Sequence, residues 1–198
     1  TGLTLQNGPG WNVHMIYSEQ IVTDHCIFRS EDIWNGDGWD PDSSSGCTIF
    51  ACTFYTGDDS VAIKSGKNPE GNEIGRPCSH IRIFDCICAY GHGITMGSEM
   101  SGGIEDVVIW DCDLGNSLYG LEIKGTKKRG ALCLRYLKNA SLRIRIFWED
   151  IWVRTGSTSH AGSLSWRVLT KRGMRSGGLY FAGFVLAARS FKLSRKFL

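Results

Sequence analysis

Proline is scarce in this chain: 4 residues among 198, against 25 glycines. Reversals of direction therefore fall mostly to Gly, Asn, Asp and Ser, which tolerate tight turns or hydrogen-bond into them. Long apolar runs are missing as well. The apolar stretch from Gly178 to Ala188 falls short of the ~18 residues that a membrane-spanning helix needs, so no membrane partner is expected. The chain opens on Thr1, with neither an initiator Met nor a signal-peptide pattern. That start is expected not to be the natural one, so no compartment is read from it. Acidic side chains are nearly absent from the last third. Residues 132–198 hold 13 Lys and Arg against Glu149 and Asp150, whereas the remaining residues hold 9 basic and 18 acidic side chains. One coherent domain rarely divides in this way, so 1–131 and 132–198 are read as separate parts. No zinc-finger, RNA-recognition or helix-turn-helix signature accompanies the cationic part, and nucleic acid is not an expected partner.

What the first part does contain is a repeat. Val22-Thr23-Asp24-His25-Cys26, Thr48-Ile49-Phe50-Ala51-Cys52, Arg82-Ile83-Phe84-Asp85-Cys86 and Val108-Ile109-Trp110-Asp111-Cys112 align on their cysteines, at spacings of 26, 34 and 26 residues. Beyond each of the last three lies a second short apolar run: Ser60 to Lys64, Ile94 to Met96, and Leu121 to Lys124. Each run is soon broken by Gly, Asp or Asn, a pattern of strands rather than helices. Short strands returning at this interval, with no helical segment between them, predict a coil that stacks on itself and buries a continuous core. The fold class is all-β, a right-handed single-stranded parallel β-helix. It is incomplete and carries a non-matching C-terminal segment. In this register Cys26, Cys52, Cys86 and Cys112 stack inside the solenoid as small free hydrophobes rather than as a disulfide framework.

Chemistry gathers at one place on the repeat. Six residues past the ladder cysteine stand Asp58 on one coil and His92 on the next, with Asp59 directly after Asp58. The preceding coil carries Asn35-Gly36-Asp37-Gly38 at the corresponding turn, and the following coil presents Lys124. Stacked rungs lie about 4.8 Å apart, so Asp37, Asp58, Asp59, His92 and Lys124 are expected to converge on one face. Crowded carboxylates repel, and at least one pKa should rise. That condition keeps one carboxyl protonated as an acid beside a second acting as a base, the pair that cleavage of a glycosidic bond requires. An Asp-Gly pair taken alone marks only a turn.

These segments resemble a known family. Asn35-Gly36-Asp37-Gly38-Trp39-Asp40-Pro41, Thr56 through Gly66 (TGDDSVAIKSG) and Gly91 through Glu99 (GHGITMGSE) are similar to three motifs of the polygalacturonases of glycoside hydrolase family 28, in the right order. Asn7, Pro9, Trp11 and His14 match a segment upstream of them. The resemblance covers roughly residues 5 to 131. It implies a hydrolase of pectin, in which Asp58 is the general acid, Asp37 and Asp59 activate water, and His92 holds the protonation state of the acid. It also implies inversion at the anomeric carbon, which rung spacing alone does not. It implies a pectic polysaccharide or oligosaccharide substrate, no cofactor or metal, a monomer, and a parent protein that is secreted, periplasmic or in the cell wall. Asn35, Lys124 and Glu122 are the candidate substrate-binding residues.

The chain also departs from the family pattern. Glu122 stands where the family has an arginine that binds the galacturonate carboxylate, which leaves room for an exo-acting or rhamnogalacturonan-directed member. Lys127, Lys128 and Arg129 are candidates to pair with Glu122 or to replace the missing cation. Past Ala131 the coil pattern stops. A shifted reading frame or misjoined gene model accounts for residues 132–198 better than a basic tail. The open end is expected to expose a rung with Leu121 and Ile123, leaving the chain alone poorly soluble and inactive. Two other readings remain: a calcium-dependent β-helical pectate lyase using the acidic cluster, and an inactive carbohydrate-binding solenoid.

Overall fold

The computed structural model describes residues 1–126, 143–145, 151–157 and 163–170. It is a parallel β-solenoid of about five turns. The first turn runs through β1 (Thr4–Gln6), β2 (Val13–Ile16) and β3 (Val22–Asp24). The second turn holds β4 (Ile27–Ser30), β5 (Trp39–Asp42) and β6 (Thr48–Phe50). The third holds β7 (Thr53–Thr56) and β8 (Val61–Ile63), then a short helix α1 (Glu70–Ile74) before β9 (Cys78–Phe84). The fourth holds β10 (Ile87–Tyr90), β11 (Ile94–Met96) and β12 (Ile104–Trp110). The fifth continues through β13 (Leu121–Thr126) to β14 (Arg143–Arg145). One sheet stacks β1, β4, β7 and β10; a second stacks β2, β5, β8, β11 and β13; a third stacks β3, β6, β9, β12 and β14. Every pair of neighbours within these sets is parallel.

Alternation along each strand sends every second side chain inward, and like stacks on like. Ile49, Ile83 and Ile109 stand opposite one another in the third sheet. Val61, Ile94 and Leu121 do so in the second, and the rings of Phe28 and Phe54 stack at 4.7 Å. Outside the third sheet Phe50, Phe84 and Trp110 form a further ladder, with centroids 5.0 and 4.3 Å apart. The ladder cysteines stand at the corner between the third and first sheets. The residue before each one, His25, Ala51, Asp85 or Asp111, has φ between 51° and 53°. That left-handed conformation turns the chain sharply, and its recurrence at every turn is what keeps the coils in register. The cysteines Cys26, Cys47, Cys52, Cys78, Cys86, Cys88 and Cys112 are free and buried; Cys133 lies outside the described residues.

The end of the solenoid differs from the expectation. Leu121 is buried rather than exposed and Ile123 packs against the core. The free edge of β13 is paired by β16 (Ser163–Thr170), which in turn pairs with β15 (Ile151–Ser157), and both pairings are antiparallel. Within the C-terminal segment, β14 continues the parallel stack of the third sheet against β12, contrary to the expectation that the coil pattern stops at Ala131, whereas β16 and β15 leave that register and supply hydrogen-bonding partners along the last rung of the second sheet. The β13 edge that the sequence left open is therefore paired.

Candidate active site

The second sheet positions the site. Trp39, Val61, Ile94 and Leu121 point inward in one register, so the residues just ahead of them on neighbouring turns are brought together: Asp37, then Asp58 and Asp59, then His92. Counting from the cysteines sets His92 directly over Asp58. A β-bulge between Cys88 and Tyr90 shifts β10 against β7, so that His92 faces both aspartates. Gly93 makes the rung fit. Its φ is +98°, and a Cβ there would strike the carbonyl oxygen of Gly120.

His92 Nδ1 lies 2.8 Å from Asp58 Oδ1 and 3.7 Å from Asp59 Oδ1. Asp59 is almost wholly buried; it accepts from Thr95 Oγ1 at 2.7 Å on one oxygen and from Lys124 Nζ at 2.7 Å on the other. Burial pushes the Asp59 carboxyl up, but hydrogen bonds from His92, Lys124 and Thr95 and the lysine charge win, and hold it below the usual carboxylate range. Hydrogen bonds to Asp58 and then Asp59 raise His92 to about 9, so the ring is an imidazolium at neutral pH. Asp37 behaves oppositely. Burial, against the attraction of Lys64, raises it to about 7, and the charges of Asp59 and Asp58 add to the rise. The crowding read from the sequence is therefore present, and it sorts the carboxyls: Asp59 ionises readily and Asp37 with difficulty.

The sequence set Lys124 against a substrate carboxylate. Here its ammonium is bonded to Asp59, with a quarter of the side chain still exposed and two N–H donors beyond that contact. Glu122 is buried opposite Thr95 in the strand register, and its charge helps to hold Lys124 protonated. Lys127, Lys128 and Arg129 lie outside the described residues. Asn35 is exposed, with φ 52°, and does not join the aspartates; with Gly10, Trp11, Lys67 and Glu99 it lines an open cleft of about 350 Å³. Sequence reasoning missed Asp40, Lys64, Thr95 and Glu99, although all four lie inside the motifs quoted above. The available signal, for Lys64, was an ionisable side chain directly abutting a short strand whose residues are all apolar.

The imidazolium makes stability depend on pH. Because the folded pKa of His92 is raised above its unfolded value, its contribution is complete below about 6.5 and is lost as pH rises through about 9. The difference in Tm between wild type and His92→Gln is expected to shrink steadily across that window. A difference that stays constant from pH 6 to 10 would mean that the ring carries no bound proton.

A stacked parallel solenoid here sets paired carboxyls on one outer face, the pair that acid–base cleavage of a glycosidic bond requires. The comparisons make the class specific. Residues 1–134 match Glycosyl hydrolases family 28, and the chain belongs to that family. It is 38% identical over 170 residues to a probable polygalacturonase of Vitis vinifera, covering 81% of this chain and 33% of that one. It is 26% identical over 129 residues to an exo-poly-alpha-D-galacturonosidase of Dickeya chrysanthemi, covering 65% of this chain and 21% of that one. Among solved structures it is similar to a hyperthermoactive exopolygalacturonase of Thermotoga maritima, at 31% identity and a TM-score of 0.59, over 73% of this chain and 31% of that one. The chain thus spans about a third or less of the length of these relatives.

Proposed function

We propose that this chain carries the catalytic centre of an O-glycosyl hydrolase that cleaves the galacturonan of pectin, with residues 1–131 as its catalytic part. The observation that supports this reading best is the convergence of Asp37, Asp58 and Asp59 from neighbouring turns, with Lys124 locking Asp59 as a carboxylate. Asp58 is the acid: exposed enough to reach substrate, it donates its proton to the glycosidic oxygen as the bond to the anomeric carbon breaks. Water attacks that carbon from the opposite face, and its proton passes to Asp59 or Asp37. His92 holds the position of Asp58 through the bond to Nδ1. A single displacement of this kind inverts the anomeric centre. Lys124, and Asn35 in the cleft beside Trp11, are assigned to the sugar and its carboxylate; similarity to the exo-poly-alpha-D-galacturonosidase of Dickeya chrysanthemi and the exopolygalacturonase of Thermotoga maritima favours release from a chain end. A pectic substrate supports a parent protein that is secreted, periplasmic or in the cell wall.

Among the described residues, Asp58, Asp59 and His92 are the one group whose donor atoms cluster closely enough for a metal ion. Calcium takes about six to eight oxygen ligands, whereas both oxygens of Asp59 are already engaged by Thr95 and Lys124, which counts against a calcium-dependent lyase. The uronate assignment is tested on Lys124→Met. Its KM for galacturonan oligomers is expected to rise several-fold, and the salt dependence of binding to weaken. An equal rise on a neutral glycoside would make Lys124 structural.

A further inference from the structure

Lys64 follows β8 directly, and no step of the proposed hydrolysis uses it. The residue is 3% exposed. Its Nζ lies 3.5 Å from Asp37 Oδ2, 3.5 Å from Asp40 Oδ2 and 3.5 Å from Glu99 Oε2. The fourth side is closed by the ring of Trp11, 4.2 Å from Nζ to the centroid. A buried ammonium is costly unless paired, and an aromatic face adds attraction. One cation against three carboxyls cannot neutralise all of them. The surplus falls on Asp40, which is wholly buried and has no hydrogen-bond donor on either oxygen. Burial pushes Asp40 well above the usual range against the attraction of Lys64, and the charge of Asp37 adds to the rise.

We infer that Lys64 is a positioning residue: its ammonium, boxed by Asp37, Asp40, Glu99 and Trp11, favours the ionised form of Asp37 and fixes it beside Asp58 and Asp59. The inference rests on Asp37 being one of the bases proposed above. Removing the ammonium leaves Asp37 facing Asp40 on its own segment, Asp58 and Asp59 on the next turn and Glu99 beyond β11, with no cation within contact among the described residues. Its proton would then be held far more tightly. Asp42, the remaining carboxylate of β5, is already engaged with His14 and the Gly66 amide.

The test is a titration of Asp37 by carboxyl 13C NMR on the whole chain, with the resonance assigned by its loss in Asp37→Asn. Wild type is expected to titrate near 7. Lys64→Met is expected to move the midpoint up by about one pH unit or more. Glu99→Gln, which frees the ammonium from one competitor, is expected to move it down. An unmoved midpoint in Lys64→Met overturns the inference. Should that variant lose its cooperative melt, a midpoint that is unchanged or raised in Glu99→Gln overturns it instead. Because substrate is absent from the titration, the two readings fail separately. The expected midpoints without hydrolysis would strike the hydrolase assignment alone; an immobile Asp37 with hydrolysis intact would strike the role of Lys64 alone.

Discussion

Asp58→Asn is expected to lower kcat on polygalacturonate by ~10²–10⁴-fold, the range for loss of a positioned general acid. The amide is nearly isosteric and still accepts from His92 Nδ1, so the bridge keeps its geometry and loses only the transferable proton. About a quarter of the Asp58 side chain is exposed, and the turn is held by backbone bonds, including His92 N to Asp58 O at 2.8 Å. The melt should therefore move little. Because the lost interaction exists in the transition state, kcat and kcat/KM should fall together. Activity near wild type with an unchanged circular dichroism spectrum would remove Asp58 from the mechanism.

The second large effect is expected from the core. Trp39 is fully buried, and its indole N–H donates to Thr23 Oγ1 at 3.0 Å. Trp39→Ala is expected to cost about 3–5 kcal/mol, from lost transfer energy and the cavity left behind, with the Thr23 hydroxyl losing its donor as well. The damage should not stay in the core. Trp39 stands two residues after Asp37 and pairs with Val61, two residues after Asp59, so it helps to hold both carboxyls on their rungs. Urea denaturation should show a much lower midpoint; one within about 0.5 kcal/mol of wild type would contradict the inward register of β5.

The difference between what could and could not be read in the sequence has physical causes. The cysteine register was legible because a stacked corner demands a small buried side chain once per turn, and Cys26, Cys52, Cys86 and Cys112 supply it. Asp58, Asp59 and His92 were legible because parallel stacking converts equal distances from that corner into proximity. The bulge in β10 was not, since one extra residue leaves no mark on composition, and it is the bulge that lets His92 face two aspartates instead of one. The buried box around Lys64 was hidden for another reason. An outward-facing strand position normally meets solvent, and nothing local to Asp40 or Lys64 reveals that Trp11 and Glu99 cover them. The pairing of β16 with β13 was equally illegible, because hydrogen bonds of the backbone need no matching repeat.

The most direct measurement of the central claim is the structure of the product first released from polygalacturonate by the purified chain, followed by NMR with and without a chelator. Attack of water opposite a leaving group protonated by Asp58 predicts a saturated product, with a new reducing end that first appears as the β anomer and only later mutarotates. An unsaturated, ultraviolet-absorbing product that vanishes with chelator would contradict the account, and so would a first-formed α anomer. The former would make the aspartates a calcium site; the latter would require a covalent intermediate that the proposed roles of Asp58, Asp59 and Asp37 do not provide.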